Sequence, residues 1–252
     1  MPIFTPEERE QLRSKLVSAA EADSRIVGAA HTGSGSTGSV DRWSDIDLAL
    51  SLASDANSDE VLASWTKVMY DENCAVAHHD VRYETTLFRV FLLRNTLQVD
   101  IAFWPSTEFR AIGANFKLIF GAANDPRPVS NPDTKEFIGM GWLYALHVRS
   151  SIARSRLWEA EFMLRGMRDQ VLTLACLRHS LKVHQGRGID DLPLELRTHL
   201  AECLVRSLDR RELERANAAT LEALCEEIKF ADAELWKSLQ EPLRVLLETG
   251  AA

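Results

Sequence analysis

The sequence predicts an α+β protein in two parts, a β-sheet domain with helices over residues 1–121 and an all-α helical bundle over residues 133–252. Short apolar runs separated by turn signals fill residues 25 to 103, the pattern of strands in a sheet. The stretch Gly121–Asp133 carries three prolines, and residues 122–132 read as an inter-domain connection. Beyond it only helical spacing of apolar residues recurs. A chain of 252 residues, 46% hydrophobic, is long enough to give each part its own core.

The elements follow in order. Thr5-Pro6-Glu7-Glu8 has the form of a capping box with proline at the first helical position, and Leu12, Leu16, Ala19 and Ala20 continue a helix to about Ala22. Arg25 to His31 is a short apolar run that ends at a glycine-rich turn, hence a buried strand. Ser34 to Ser39 suits the start of a short helix, and a second strand runs roughly from Asp45 to Leu52. Ser58 to Tyr70 places Val61, Leu62, Trp65, Val68 and Met69 on one face of a second helix. Strands are expected at Ala75–Tyr83, Thr86–Leu93 and Thr96–Phe103, with a tight turn at Arg94-Asn95. The bundle is expected to contain helices over about 133–154, 157–184, 193–207, 210–230 and 231–248.

Composition narrows the function. A formal net charge of −8 and a pI near 5.4 argue against a general nucleic-acid binder, which needs surplus Lys and Arg, and suit a cationic small molecule better. Cys74, Cys176, Cys203 and Cys225 are far apart and include no Cys-x-x-Cys, so they read as buried thiols in a reducing compartment. The N-terminus is acidic where a signal peptide is basic and then apolar, and no run of about 18 apolar residues occurs. A cytoplasmic protein with no membrane partner is the expectation.

The chemistry concentrates between His31 and Leu50, where a Gly-Ser turn runs into Asp45-Ile46-Asp47. Residues two apart on a strand share a face, so both carboxylates can reach one cation, and an oxygen-seeking ion such as Mg²⁺ relieves their repulsion. Gly33-Ser-Gly35-Ser-Thr-Gly38 matches the dinucleotide fingerprint but lacks its context. That motif opens a full-length helix with an acidic partner about 20 residues on, whereas here two acids follow within a handful of residues. No Gly-Lys-Ser or Gly-Lys-Thr follows, and a P-loop fits worse still. What remains is a turn of small residues whose backbone approaches phosphate, with Gly33 and the Ser34 hydroxyl as its candidate contacts. Asp100 then stands between Val99 and Ile101 in an apolar strand, and a buried unpaired acid costs several kcal/mol unless something compensates it.

Gly33-Ser34, Gly38, Ser44-Asp45-Ile46-Asp47-Leu48 and Val99-Asp100-Ile101 together resemble the signature of the polymerase-β-type nucleotidyltransferases. Within them the resemblance is to the small bacterial antibiotic nucleotidyltransferases that act on aminoglycosides and lincosamides. It covers about the first 105 residues, and the helical half is similar only in plan. The resemblance implies a mixed β-sheet domain in which Asp45, Asp47 and Asp100 hold two Mg²⁺ ions around the triphosphate of ATP or another nucleoside triphosphate. A hydroxyl of a small cationic acceptor then attacks the α-phosphorus and pyrophosphate leaves, chemistry that needs positioning and charge neutralisation above all. Such proteins often dimerise, so a homodimer is among the assemblies to expect. A regulatory, antitoxin-like module that binds a protein partner is the alternative, against which the large helical half speaks.

In that half the resemblance calls for a carboxylate near the acceptor and a cation for the leaving triphosphate. Glu161 and Asp169 lie eight apart on one predicted helix face with Arg165 between them, and Glu161 is the candidate. Arg178 and Lys182 share a predicted face, and Lys182 with Arg187 of Gly186-Arg187-Gly188 forms the candidate cationic pair. Trp142 and Trp158 suit core packing better than an aromatic wall. His78-His79-Asp80 reads as a satisfied strand surface, because only His78 and Asp80 can converge.

Overall fold

The structure, a computed structural model, describes residues 3–33, 41–111, 115–127 and 132–249. The fold is α+β, with a mixed six-stranded sheet in the N-terminal part and helices in the C-terminal part. Two compact units divide the chain, Met1–Val129 and Ser130–Ala252.

Helix α1 (Pro6–Ala22) begins with the expected capping box: Thr5 and Glu8 satisfy one another's backbone N–H groups. Strands β1 (Ile26–Thr32) and β2 (Ile46–Leu52) precede helix α2 (Ser58–Glu72), which is capped by Asn57. Then come β3 (Ala75–Tyr83), β4 (Thr86–Leu93), β5 (Gln98–Pro105) and β6 (Phe116–Phe120). The sheet order is β3-β4-β5-β2-β1-β6. The central pair β2–β5 is parallel, and the other described pairs are antiparallel.

Alternation along the two central strands gives the sheet unlike faces. Ile46, Leu48 and Leu50 on β2 and Val99, Ile101 and Phe103 on β5 are buried in one cluster with Leu16 and Ala20 of α1 and Val61, Trp65 and Met69 of α2. The opposite face carries Asp47, Ala49 and Ser51 beside Asp100, Ala102 and Trp104, in that register. There the alanines sit under Trp104 and Phe109, with Phe88 and Phe116 packed against them. Edge-to-face contacts join Trp104 to Phe109 and Phe109 to Phe116.

The second unit contains α3 (Thr134–Ala153), α4 (Leu157–Arg178), α5 (Leu194–Ala201), α6 (Arg210–Ala231) and α7 (Ala233–Thr249) around one hydrophobic core. Among the described residues, no helix is long and apolar enough to cross a membrane.

Several expectations change. Strand β6 carries no strong alternation and is absent from the sequence reading; it forms because the edge of β1 offers unpaired backbone, and Ala30 to Thr32 pair with it. The helix expected to reach residue 184 stops at Arg178. Ser180 takes a left-handed φ of 56°, and the Leu181 N–H closes the end by donating to the Cys176 carbonyl. Likewise α5 ends at Ala201 rather than Ser207. Cys74 is exposed, not buried, at a turn where its own φ is 57°. Trp158 is 77% exposed rather than in the core, whereas Trp142 packs against it. The expected short helix from Ser34 lies outside the described residues.

Candidate active site

The register of the parallel pair builds the centre of the site. Asp47 on β2 lies directly opposite Asp100 on β5, so the two side chains leave the same face of neighbouring strands about 4.8 Å apart. Ile46 and Leu48 on one strand and Val99 and Ile101 on the other anchor that register from below, since a slip of one residue would turn the leucines outward. Asp100 is largely buried, and its Oδ1 has no hydrogen-bond partner among the described residues. Burial pushes its carboxyl up to about 6, and the nearby charge of Asp45 adds to the shift.

Asp45 differs from the expectation in one respect. It does not lie in the strand but one residue ahead of it, because β2 begins at Ile46. Its carboxylate is reached instead by Gln98, whose Nε2 donates to Asp45 Oδ2 at 3.3 Å. Gln98 opens β5, two residues before Asp100. Ahead of Asp45, residues 41–44 form a compact turn in which the Asp41 carboxylate accepts from the Trp43 N–H at 2.8 Å and the Ser44 hydroxyl at 3.1 Å. Trp43 presents its ring to solvent at 70% exposure, with the Arg42 guanidinium 5.2 Å from the ring centre.

Gly33 follows the end of β1 with a left-handed φ of 58°, and a methyl group in place of its hydrogen would overlap the Asp47 carboxylate. Glycine is therefore required twice over, by its backbone and by the acid that it touches. Gly33 and the Asp47 carboxylate are packed against one another. Ser34, the other candidate phosphate contact, lies outside the described residues.

The helical unit treats its candidate residues unequally. Glu161 is half-buried on α4, and Arg165 pairs with Asp169 at 3.8 Å on the exposed face of that helix. Arg178 is committed to Glu227 by two bonds of 2.9 and 2.7 Å. Because α4 has ended, Lys182 no longer shares a face with Arg178; Lys182 and Arg187 are both exposed in the segment between α4 and α5. His78 and Asp80 do not form an ion site: His78 hydrogen-bonds to the Tyr70 hydroxyl at 2.9 Å and Asp80 pairs with Arg89.

The donor set of the sheet is all oxygen, which fits a hard divalent cation. A buried carboxylate oxygen without a partner, beside two further acids, is the kind of group that such an ion compensates. Among the described residues, no three His, Cys, Asp or Glu side chains are set as a ready-made cage.

Sequence reasoning missed Gln98, Trp43 and the contact of Gly33 with Asp47. The alternation of β5 places Gln98 on the Asp100 face and was signal enough for the first; the other two depend on tertiary contacts.

No family model and no curated protein matches this sequence. Among solved structures, an aminoglycoside 6-adenyltransferase from Bacillus subtilis is similar over 95% of this chain and 98% of its own, at 10% identity and a TM-score of 0.43. A likeness at that level decides neither fold nor chemistry, so the functional reading rests on the residues of this chain.

Proposed function

We propose that the chain is a nucleotidyltransferase that moves a nucleoside monophosphate, AMP from ATP in the first instance, onto a hydroxyl of a small cationic acceptor and releases pyrophosphate. The observation that carries the reading is Asp100: a largely buried acid with one oxygen unpartnered among the described residues, in register with Asp47 and within the field of Asp45. Asp45, Asp47 and Asp100 would hold two Mg²⁺ ions, which when bound neutralise the triphosphate and acidify the attacking hydroxyl.

The protein's own part is positioning. Gly33 lets the chain pass against Asp47, so that the following backbone, with Ser34, can meet the β- and γ-phosphates. Asp100 serves the attacking side, where the acceptor oxygen approaches the α-phosphorus in line with the leaving pyrophosphate. The hydroxyl proton passes to a carboxylate, for which Asp100 is the candidate; Asp100→Asn is expected to remove the acidic limb of the pH–rate profile. The net charge of −8 supports a cationic acceptor such as an aminoglycoside or lincosamide antibiotic.

The test is a pyrophosphate-release screen with Mg²⁺, the four nucleoside triphosphates and a panel of hydroxylated amines. Turnover with at least one pair, abolished in Asp45→Asn and Asp47→Asn proteins that still fold, is expected. Wild-type turnover in either variant overturns the assignment. Absence of turnover throughout, with a stable complex between this chain and another protein, points to a binding module instead.

A further inference from the structure

Two of the three carboxylates need no mount beyond the sheet, because Asp47 and Asp100 lie in strands whose ladder and buried neighbours fix them. Asp45 has no such support: it precedes β2, and the ladder pairs begin only at Ile46. Two polar side chains from other elements hold either its carboxylate or the backbone just ahead of it. Arg9, on α1, is 6% exposed, and its Nη1 donates to the Asp41 carbonyl at 2.5 Å and to the Ser44 carbonyl at 3.1 Å. Ser44 is the residue immediately before Asp45, and its hydroxyl closes the turn by accepting from the Asp41 N–H at 2.9 Å. From the other side Gln98 donates to the Asp45 carboxylate itself.

Burying a guanidinium costs free energy that two carbonyl acceptors only partly return, so Arg9 is an expensive way to close a surface turn. The same turn is held by its own side-chain bonds. What Arg9 adds is a fixed height of that turn over α1, and hence a fixed origin for the next residue. We propose that Arg9 and Gln98 are the positioning residues for Asp45, Arg9 holding the backbone ahead of it and Gln98 holding its carboxylate toward Asp100. This rests on the reading of Asp45 as an ion ligand given above. Groups that orient a metal ligand typically contribute 10- to 100-fold to metal affinity.

The full-length protein is titrated with Mn²⁺ in the presence of α,β-methylene-ATP, and free Mn²⁺ is followed by electron paramagnetic resonance. Asp45→Asn is expected to weaken binding most. Gln98→Ala and Arg9→Lys, which keeps the charge but loses the fork, are each expected to weaken it by about 10-fold. The discriminating step is a double-mutant cycle: in the Asp45→Asn background, Gln98→Ala and Arg9→Lys should cost nothing further. A residue that served only folding would lower the melting temperature and leave Mn²⁺ affinity unchanged. Wild-type affinity in both single variants, or equal losses with and without the Asp45 carboxylate, overturns the inference. An unchanged affinity in Asp45→Asn alone overturns the ion-site reading beneath it. If Arg9→Lys does not fold, Ser44→Ala, which loosens the same turn from its other end, takes its place in the cycle.

Discussion

Two acids, Glu227 buried in the bundle and Asp100 largely buried on the sheet, are treated in opposite ways. Glu227, on α6, is 3% exposed, and both of its oxygens accept from the Arg178 guanidinium, which in turn rests over the Phe230 ring at 4.5 Å. Asp100, on β5, is also largely buried, yet one oxygen has no partner among the described residues, and the nearest charge that acts on it is another acid. Glu227 is complete within the helical unit and serves its folding. Among the described residues, nothing positive completes Asp100 within the sheet unit. A buried acid is thus a structural fact in one unit and an open valence in the other.

Substitution should separate the two. In the sheet, Asp100→Asn, Asp47→Asn or Asp45→Asn is expected to lower pyrophosphate release on the order of 10³-fold, as several kcal/mol of transition-state charge stabilisation is lost, with circular dichroism unchanged. In the bundle, Glu227→Gln or Arg178→Met should lower the unfolding free energy of that unit by about 3 kcal/mol in urea, because one partner is left buried alone, while Mn²⁺ affinity stays at the wild-type value.

The sharper contrast concerns stability and pH. Asp100 has its folded-state pKa raised from 3.8 to about 6, so the ionised form is the one that the fold disfavours. Below pH 4 it is protonated in both states and costs nothing; as pH rises from 4 to 6 the metal-free protein loses stability, and above 6 the penalty is constant. Asp100→Asn should therefore stabilise the EDTA-treated protein by about 1–2 kcal/mol at pH 8, a gain that fades on acidification to pH 4. Denaturant titrations at several pH values measure it. The opposite sign is expected at Asp23, which hydrogen bonds from Arg25 above all, and from Trp65, hold down at about 2. Its contribution is present above pH 4 and lost as pH falls toward 2, and Asp23→Asn should cost about 1 kcal/mol at neutral pH, measured by urea titration followed by intrinsic tryptophan fluorescence.

The Asp100 side of this contrast was legible beforehand; the Arg178–Glu227 pair was not. Period-two alternation located β2 and β5 and assigned Asp47 and Asp100 to faces opposite Leu48 and Ile101, and the capping box of Thr5 marked the start of α1. Other features depend on contacts that local pattern does not encode. An arginine in the first turns of an acidic helix reads as solvated, and only the turn packed on α1 shows that Arg9 is buried. Strand β6 has a half-exposed pattern that resembles loop, and it exists because β1 has an edge to fill. The end of α4 is set by Ser180, a residue with no special tendency toward a left-handed backbone, so Lys182 was placed on a helix that had already stopped.

The parallel pairing of β2 with β5 also fixes the site in time. Every residue pair across it, like the Gln98–Asp45 bond, joins positions 53 apart in the chain, so each must wait for the closure of a loop that includes α2, β3 and β4. Helices α1 and α2 are local and can form early; the cluster of acids has no local precursor. A chain whose β2 and β5 have not yet met carries three ordinary, well-hydrated aspartates. Only when that ladder closes do Asp47 and Asp100 become neighbours, and cation binding during refolding would report that single event.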